Sequence, residues 1–382
     1  MKLQTNKRKT AYIVCFFLIM LGCFAGAVSA DDSEKQFKLS TDDIVRGLYN
    51  PDNEQLRSTD AEIVKLKEKS IYSRDGLSSL TLEEKLQKLA LVHRDEKVSS
   101  YFSKLIEKGV VSGFGIDRFG YYFIWVKSSV DDTTISSIIE GFDKITQKTY
   151  GEIPLLVKVT NGATTTTKSV DITSRATNDD RWRPLIGGIQ QLGVTSSTAF
   201  DSTVGFAATK NGQNGFVTHG HDFVIGSQVY QPTYSSDNLV GTVAAIGSVN
   251  SDSAWIPFGN VEASIYSPGS SGNKRAVSTY ASVPDGSKVV VMAGAVTHSY
   301  GNLIGLADVE HDKFGRTLPD QWLASYSGTY GDSGAPVFQQ DRTTHEFCLV
   351  GLHWGKNDDL NVRIFSSLGD VMTDLGIVPK TR

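Results

Sequence analysis

Cysteine is scarce in this chain of 382 residues: there are three, and Cys15 and Cys23 lie in an N-terminal apolar stretch. The single cysteine outside that stretch, Cys348, excludes a disulfide scaffold. Positive charge is not in excess either, because 38 Lys and Arg are balanced by 42 Asp and Glu, a net charge of −4. The composition therefore argues against a protein that binds nucleic acid by neutralising phosphates.

Long apolar runs are missing everywhere except near the N-terminus. There, basic residues precede the apolar run 11–28, and Val28-Ser29-Ala30 supplies small residues before Asp31. This order predicts a secretory signal peptide over residues 1–30. The alternative is an uncleaved anchor, since some eighteen apolar residues nearly span a bilayer. We expect a secreted, extracellular protein, attached to the cell surface or in contact with a membrane only if the segment stays uncleaved.

Charge density divides the remainder into two parts. Residues 31–180 contain 46 charged side chains in 150, whereas residues 181–382 contain 30 in 202. The change coincides with Asn161-Gly162-Ala163 and the run Thr164 to Thr167, followed by Arg175 and Arg183. We interpret residues 31–180 as a first domain with its linker and residues 181–382 as a second domain.

The first domain is predicted to mix helices and strands. Thr81 and Glu84 form a capping-box pattern before a helical stretch that runs to Ile106. Residues 119–126 and 153–159 read as strands on either side of a helical stripe over 135–145. His93 is alone among charged helical residues, so we expect it on a solvated face.

The second domain is predicted to be mainly β. Short apolar or alternating segments recur between turns rich in Gly, Asn, Asp and Ser, and helical periodicity returns only at Leu368–Leu375. The predicted strands are Val204–Ala208, Gly215–Thr218, Leu239–Ile246, Val289–Ala293 and Cys348–His353.

Three motifs in this domain carry residues suited to acyl transfer. Gly331-Asp332-Ser333-Gly334 surrounds a serine with glycines, so that the amides of Gly331 and Ser333 can form an oxyanion hole. His221, in Gly215-Phe216-Val217-Thr218-His219-Gly220-His221, is suited to act as general base. Asp252, before Ser253-Ala254-Trp255-Ile256, can orient an imidazole. Taken singly, each motif has a structural alternative: a Gly/Ser turn, a structural histidine or a turn aspartate.

A metal site is the competing interpretation of the histidine motif. His219, His221 and Asp222 have ligand chemistry, but Phe223 and Val224 occupy the downstream positions where a further ligand is usually needed. We therefore expect no metal and no organic cofactor.

Together, the order His221, Asp252, Ser333 resembles the chymotrypsin-like (trypsin-like) serine proteases, in particular the secreted bacterial branch of α-lytic protease and streptogrisin. The resemblance covers about residues 184–378, and Pro184-Leu185-Ile186-Gly187-Gly188 looks like the start of a mature protease. His219, Asp222 and Ala335 depart from the usual motif residues. None belongs to the triad, but His219 lies two positions from the base.

This resemblance implies two packed six-stranded antiparallel β-barrels with a C-terminal helix, preceded by an α+β pro-region. It implies a monomeric serine endopeptidase, a zymogen whose pro-region assists folding and is then removed, here near residues 175–183. Protein or peptide would be the substrate, with His221, Asp252 and Ser333 as the catalytic triad. The alternative is a non-catalytic exported binding protein that retains the protease fold.

The residue preference before the scissile bond is left open by the sequence. Ser327 lies where a trypsin-like enzyme has an aspartate, which disfavours cleavage after Lys or Arg. His353-Trp354-Gly355 resembles the pocket strand of bacterial glutamyl endopeptidases, whose histidine helps to bind a carboxylate. Ser327 and Thr329 are candidate hydroxyl donors to that carboxylate. If His353 only packs, the pocket is apolar and prefers large hydrophobic residues.

Overall fold

The structure is a computed structural model that describes residues 38–49, 60–170, 180–340 (without 248, 287 and 296) and 346–382. The described residues belong to one compact unit. No helix in these ranges is both long enough and apolar enough to span a membrane. The predicted signal peptide over residues 1–30 and Arg175 of the predicted processing region lie outside the described residues.

The N-terminal region mixes helices and strands, as predicted. Four of its helices pack on one face of a small sheet, and the helix Asp60–Glu68 packs on the other face through Ile63 and Leu66. Thr81 caps its helix with the reciprocal hydrogen bonds to Glu84 that define a capping box. The core of this region is aromatic, with Phe102 stacked on Phe114 at a centroid distance of 4.6 Å. The helices are α1 (Thr41–Leu48), α2 (Asp60–Glu68), α3 (Leu82–Arg94), α4 (Glu96–Glu107) and α5 (Asp132–Tyr150). The strands are β1 (Tyr72–Arg74), β2 (Val111–Asp117), β3 (Tyr122–Lys127) and β4 (Leu155–Thr160).

Two short strands follow at residues that the composition marked as a linker. They are β5 (Thr164–Thr165) and β6 (Lys168–Val170), and each pairs with a strand of a different barrel. The segment from Thr164 to Val170 is therefore an extended peptide stretched across both barrels.

The first barrel closes through two bent strands. Strand β9 continues into β10, and β13 continues into β14, so each of these two long strands passes from one sheet to the other. One sheet has the order β13–β12–β8–β9 and the other has the order β14–β15–β11–β10. With each bent pair counted as one strand, the two sheets form a closed ring of six. The bend separates the predicted strand Leu239–Ile246 into two parts. Over residues 185–266 the strands are β7 (Leu185–Gly187), β8 (Gln190–Val194), β9 (Ala199–Thr203), β10 (Phe206–Lys210), β11 (Gln213–Thr218), β12 (Gln228–Tyr230), β13 (Leu239–Thr242), β14 (Ala245–Gly247), β15 (Ser253–Pro257) and β16 (Val261–Tyr266). Strands β7 and β16 pair with each other, outside the ring.

The second barrel closes directly by strand pairing, in the order β20–β19–β22–β23–β24–β21 and back to β20. The described chain is thus mainly β, with two six-stranded barrels and a C-terminal helix. From residue 274 onward the strands are β17 (Lys274–Ala276), β18 (Thr279–Tyr280), β19 (Lys288–Ala293), β20 (Thr297–His311), β21 (Arg316–Ala324), β22 (Pro336–Gln340), β23 (Phe347–Asn357), β24 (Val362–Ser367) and β25 (Val378–Pro379). Of these, β17 pairs with β16 and β25 pairs with β10 of the first barrel. Helix α6 (Leu368–Leu375) begins at a Ser367 cap and ends at Gly376, whose φ is +61°.

The N-terminal sheet is continuous with the second barrel. Residues 113–117 of β2 pair antiparallel with residues 305–309 of β20. A Cβ atom on Gly115 would lie 2.0 Å from the carbonyl oxygen of Leu306, so only glycine permits this close approach. The two regions therefore share one sheet.

His93 does not lie on a solvated face, and that prediction is wrong. The residue is 3% exposed, with Nε2 lying 3.4 Å from a carboxylate oxygen of Asp308 and 3.6 Å from one of Asp320. Arg94 donates to Asp320 at 2.8 Å. The face of α3 that looks charged in the sequence is an ionic contact with the second barrel.

Candidate active site

Asp252 and His221 meet where β15 lies beside the end of β11. The N–H groups of Gly220 and His221 donate to Oδ1 of Asp252 at 2.7 and 3.0 Å, and Nδ1–H of His221 donates to Oδ2. Burial alone would raise the pKa of Asp252, but the charge and hydrogen bond of His221 and those of His311 hold that pKa well below its usual value. Asp252 is thus an ionised carboxylate that orients the His221 ring and fixes its tautomer.

A second histidine, which the sequence motifs did not indicate, shares this carboxylate. Nε2 of His311, at the end of β20, donates to Oδ2 of Asp252 at 2.9 Å. Its ring stacks on Phe314 at 4.3 Å between centroids. Because Oδ2 accepts from both rings, the position of Asp252 is set from each barrel.

His219 packs directly against His221, with 4.4 Å between ring centroids. Burial, together with the neighbouring His221 charge, lowers the pKa of His219 to about 3. His219 is therefore a neutral ring near neutral pH and contributes packing, not charge, beside His221.

Ser333 lies against the extended segment, at residue Thr166. Its Oγ lies 2.9 Å from Oγ1 and 3.2 Å from the amide nitrogen of Thr166. The N–H of Gly331, whose φ is +100°, donates to the carbonyl oxygen of Thr166 at 2.5 Å. The Thr166 carbonyl therefore occupies the position expected of an oxyanion precursor. Nε2 of His221 is buried and has no hydrogen-bond partner among the described residues.

On one side of Thr166, the segment pairs with the second barrel. Thr165 lies opposite Gly355 and Thr164 opposite Lys356, in antiparallel register with β23. The N–H of Thr166 also donates to the carbonyl oxygen of Trp354 at 3.2 Å. Trp354 and Gly355, both predicted binding residues, thus contact a peptide through their backbones.

On the other side, the segment pairs with the first barrel. Residues 168–170 lie antiparallel to residues 199–201 of β9, and the Thr167 hydroxyl donates to Asp222. Peptide backbone is therefore held both before and after Thr166, in the arrangement by which a cleft extends a sheet with a peptide strand.

His353 contacts the side chain of Thr166, with 3.2 Å between its Nε2 and Oγ1, while its Nδ1 hydrogen-bonds the Tyr326 hydroxyl at 3.1 Å. Burial, aided by the charge of Arg363, lowers the pKa of His353 to about 3. Ser327 and Thr329 are exposed, and none of the side-chain hydrogen bonds among the described residues joins their hydroxyls to Thr166. The structure places His353 at Thr166 and leaves these two hydroxyls apart from it.

Arg363 is a further residue of this pocket that no motif indicated. Its Nε donates to the carbonyl oxygen of Gly328 at 3.1 Å. A Cβ atom on Gly328 would lie 3.4 Å from Nε of Arg363 and 3.5 Å from Nε2 of His353. The guanidinium and the imidazole therefore flank the same glycine.

No family model matches the chain, and no curated protein matches it. Solved structures similar to it are bacterial serine proteases. Protease A of Thermobifida fusca has a TM-score of 0.42 and 19% identity, covering 52% of this chain and 98% of that one. Cellulomonas bogoriensis chymotrypsin has a TM-score of 0.39 and 20% identity, and the match covers 52% of this chain and 98% of that one. A glutamic-acid-specific serine protease that uses a histidine triad in substrate binding has a TM-score of 0.40 and 17% identity. That match covers 51% of this chain and 100% of the other.

Ligand-type atoms lie close together at two places in this site. His219, His221 and Asp222 form one group, and His221, Asp252 and His311 form the other, each with its candidate ligand atoms within 4.8 Å of one another. In the second group both histidines already donate to Asp252. In the first, Asp222 accepts from Thr167 and pairs with Lys313 at 3.5 Å.

Proposed function

We propose that this protein is a serine endopeptidase, exported and made as a precursor, with Ser333 as nucleophile, His221 as general base and Asp252 as the residue that orients the base. The observation that carries the proposal is the environment of Thr166. A peptide carbonyl is bound by the Gly331 amide beside the Ser333 hydroxyl. The imidazole of His221, oriented by Asp252, lies 3.7 Å from Asp222, the carboxylate that accepts from the next residue of the segment, Thr167. A site that only bound peptides would not need this combination of groups.

In the proposed reaction, Ser333 Oγ attacks the carbonyl carbon of the substrate while Nε2 of His221 takes the hydroxyl proton. Asp252 stabilises the imidazolium that forms. The amides of Gly331 and Ser333 hold the charge that develops on the carbonyl oxygen. His221 then protonates the leaving amine, and water hydrolyses the acyl-enzyme through the same histidine. No step in this sequence requires a metal or an organic cofactor.

A fluorophosphonate probe tests this proposal, because it labels only an activated serine. Since residues 164–167 occupy the cleft, the probe is applied to a variant in which this segment is replaced by Gly-Ser-Gly-Ser. We expect one labelled peptide, containing Ser333, and none in the same variant with Ser333→Ala. Ser325→Ala, which changes an exposed serine to which no role in the site is assigned, is the matched control and keeps the label. Absence of label from Ser333 would favour a binding protein that retained the fold.

Export and the pro-region belong to the same proposal. The basic-apolar-small pattern of residues 1–30 supports secretion, and the sheet shared by β2 and β20 supports a role of residues 31–180 as a folding partner of the second barrel. Fractionation of expressing cells, with the N-terminus of the protein in the medium determined by sequencing, tests the first point. Protein that stays in the membrane fraction with residues 1–30 attached would indicate an anchor instead.

A further inference from the structure

The Thr166–Thr167 peptide bond is presented to the active site by the chain itself. The carbonyl oxygen of Thr166, before the bond, accepts a hydrogen bond from the Gly331 N–H. The hydroxyl of Thr167, after the bond, donates to Asp222. Backbone pairing with β23 on one side and with β9 on the other holds the segment extended through the cleft. A peptide that binds by adding a strand to a sheet edge is held by backbone pairing of the same kind.

The segment is also tethered upstream of the cleft. The amide of Asn161 donates to Asp359 at 2.7 Å, and the side-chain amide of Asn357 donates to the Thr160 hydroxyl at 2.8 Å. An anchored peptide reacts as an intramolecular group, and its effective concentration exceeds that of a free substrate by orders of magnitude.

We propose that the enzyme cleaves its own Thr166–Thr167 bond, upstream of the processing region near residues 175–183 expected from the sequence. This inference rests on the endopeptidase function proposed above. Ser333 Oγ forms an ester with the carbonyl carbon of Thr166, and His221 takes the hydroxyl proton. The bond from that carbon to the Thr167 nitrogen breaks, and the proton passes from His221 to the new amine. Water then hydrolyses the ester, which releases the Thr166 carboxylate and restores Ser333. The products are residues up to 166 and a protease beginning Thr167-Lys168-Ser169.

The test is to express the full chain and determine its termini by intact mass and N-terminal sequencing. We expect a new N-terminus at Thr167 in the wild type and an intact bond in Ser333→Ala. Thr167→Pro removes the amide N–H at the leaving nitrogen and should reduce cleavage at this bond at least 100-fold, whereas Thr167→Ser should retain it. A first-order rate that does not change on tenfold dilution would identify the step as intramolecular.

Two results would overturn the inference. One is a wild-type chain that keeps this bond intact, and the other is a cut at 166–167 that persists in Ser333→Ala. The Gly-Ser-Gly-Ser variant separates this failure from failure of the proposed function, because its fluorophosphonate label on Ser333 does not depend on self-cleavage. An intact bond with a labelled Ser333 refutes only the self-cleavage.

A separate observation concerns the pocket that receives the side chain before the scissile bond. His353 contacts the Thr166 side chain. The side chain of Arg363 is largely buried, and its Nε donates to the carbonyl oxygen of Gly328 beside His353. The nearest carboxylate to the guanidinium is Asp358, whose side chain is 62% exposed and lies 3.8 Å away. A guanidinium held in this way is a suitable partner for a second carboxylate.

We infer that Arg363 makes the enzyme prefer an acidic residue before the scissile bond, again given the proposed endopeptidase function. Matched peptides that differ only in Glu, Gln or Leu at that position test it. We expect kcat/KM for Glu to exceed that for Gln by roughly 10- to 100-fold, the range of a hydrogen bond to a charged group. In Arg363→Gln this ratio should fall to about one while the Gln peptide is still hydrolysed.

The control is Arg275→Gln, which removes an arginine that packs on Phe347 away from the cleft and should leave the Glu/Gln ratio unchanged. Equal rates for Glu and Gln in the wild type, or a ratio that survives Arg363→Gln, would overturn the inference. Failure of the endopeptidase function would instead appear as no hydrolysis of any of the three peptides. Thr166→Glu joins the two inferences, because it should accelerate self-cleavage by a factor similar to the Glu/Gln ratio.

Discussion

Nε2 of His311 and Nδ1 of His221 donate to the same carboxylate oxygen of Asp252. His311 comes from the second barrel, whereas Asp252 and His221 come from the first. The orientation of the proposed base therefore depends on how the two barrels pack against each other.

The first prediction concerns this positioning residue. His311→Leu removes one donor to a buried carboxylate, so we expect kcat/KM to fall roughly tenfold or more, the value of a hydrogen bond to a charged group. His311→Gln keeps an amide donor and should recover most of that loss. The measurement is kcat and KM of purified variants on one peptide. A fall confined to KM, or equal losses in both variants, would mean that His311 only fills space against Phe314.

The second prediction concerns the Gly331 amide. A φ of +100° is reached by glycine without strain, so Gly331→Ala should rotate the amide away from the substrate carbonyl. We expect kcat to fall about 10²–10³-fold, the cost of losing one oxyanion donor. Gly259→Ala is the control, since a Cβ there meets nothing within 4 Å. An unchanged kcat in Gly331→Ala would show that this amide does not stabilise the transition state.

The third prediction concerns acid stability. Burial lowers the pKa of both His219 and His353 to about 3, whereas each would titrate near 6.5 when unfolded. Between these pH values the unfolded chain binds more protons than the folded one, so stability falls as pH decreases. Each histidine contributes up to about 1.4 kcal/mol per pH unit in this window. Urea unfolding at pH 4, 5 and 6.5 measures how steeply the free energy of unfolding changes with pH. His219→Phe removes one of the two histidines and should remove about half of their joint contribution to this slope. An unchanged slope would contradict this account.

The fourth prediction concerns the contact between α3 and the second barrel. Burial opposes the charge on His93, but the Asp308 charge and the hydrogen bonds of Asp308 and Asp320 outweigh it and raise its pKa to about 9. The resulting stability is fully present below about pH 6.5 and is lost as pH rises through 9. The urea midpoint of the Ser333→Ala precursor should therefore decrease between pH 6.5 and 9.5, and this decrease should be smaller in His93→Leu. The same decrease in both proteins would exclude His93 as its source.

The fifth prediction concerns folding. A mainly β protein with many non-local contacts folds slowly, and strand β2 offers β20 a template. Gly115→Leu should break this pairing through the clash with Leu306 and reduce the yield of active protease on refolding of the full chain at least tenfold. Gly259→Ala again serves as control. Equal yields from Gly115→Leu and the wild type would argue against the folding role of the N-terminal region.

Local patterns in the sequence predicted what depends on local chemistry. The capping box at Thr81, the helix over residues 135–145 and the strands on either side of it are confirmed, because capping and periodicity act over a few residues. The mainly β second domain follows from the same kind of signal. His221 and Asp252, which the motifs singled out, lie next to each other in the structure.

Long-range placement was not predictable in the same way. His311 and Arg363 reach the cleft only because β20 and β24 lie beside it in the barrel, and neither has a distinctive neighbour in sequence. His93 looked solvated because its carboxylate partners are more than 200 residues away along the chain. The threonine run resembled a linker because polar β-branched residues suit both a linker and a strand added to a cleft.

The pairing of β2 with residues 305–309 of β20 has a consequence if the N-terminal region is removed as proposed. Those five residues would then present a row of bare amide and carbonyl groups to solvent on one side, while β21 still covers the other. An open edge of this kind accepts a strand from another molecule. In concentrated solution the released protease would therefore tend to self-associate through β20, and its colloidal behaviour would depend on a surface that the precursor keeps covered.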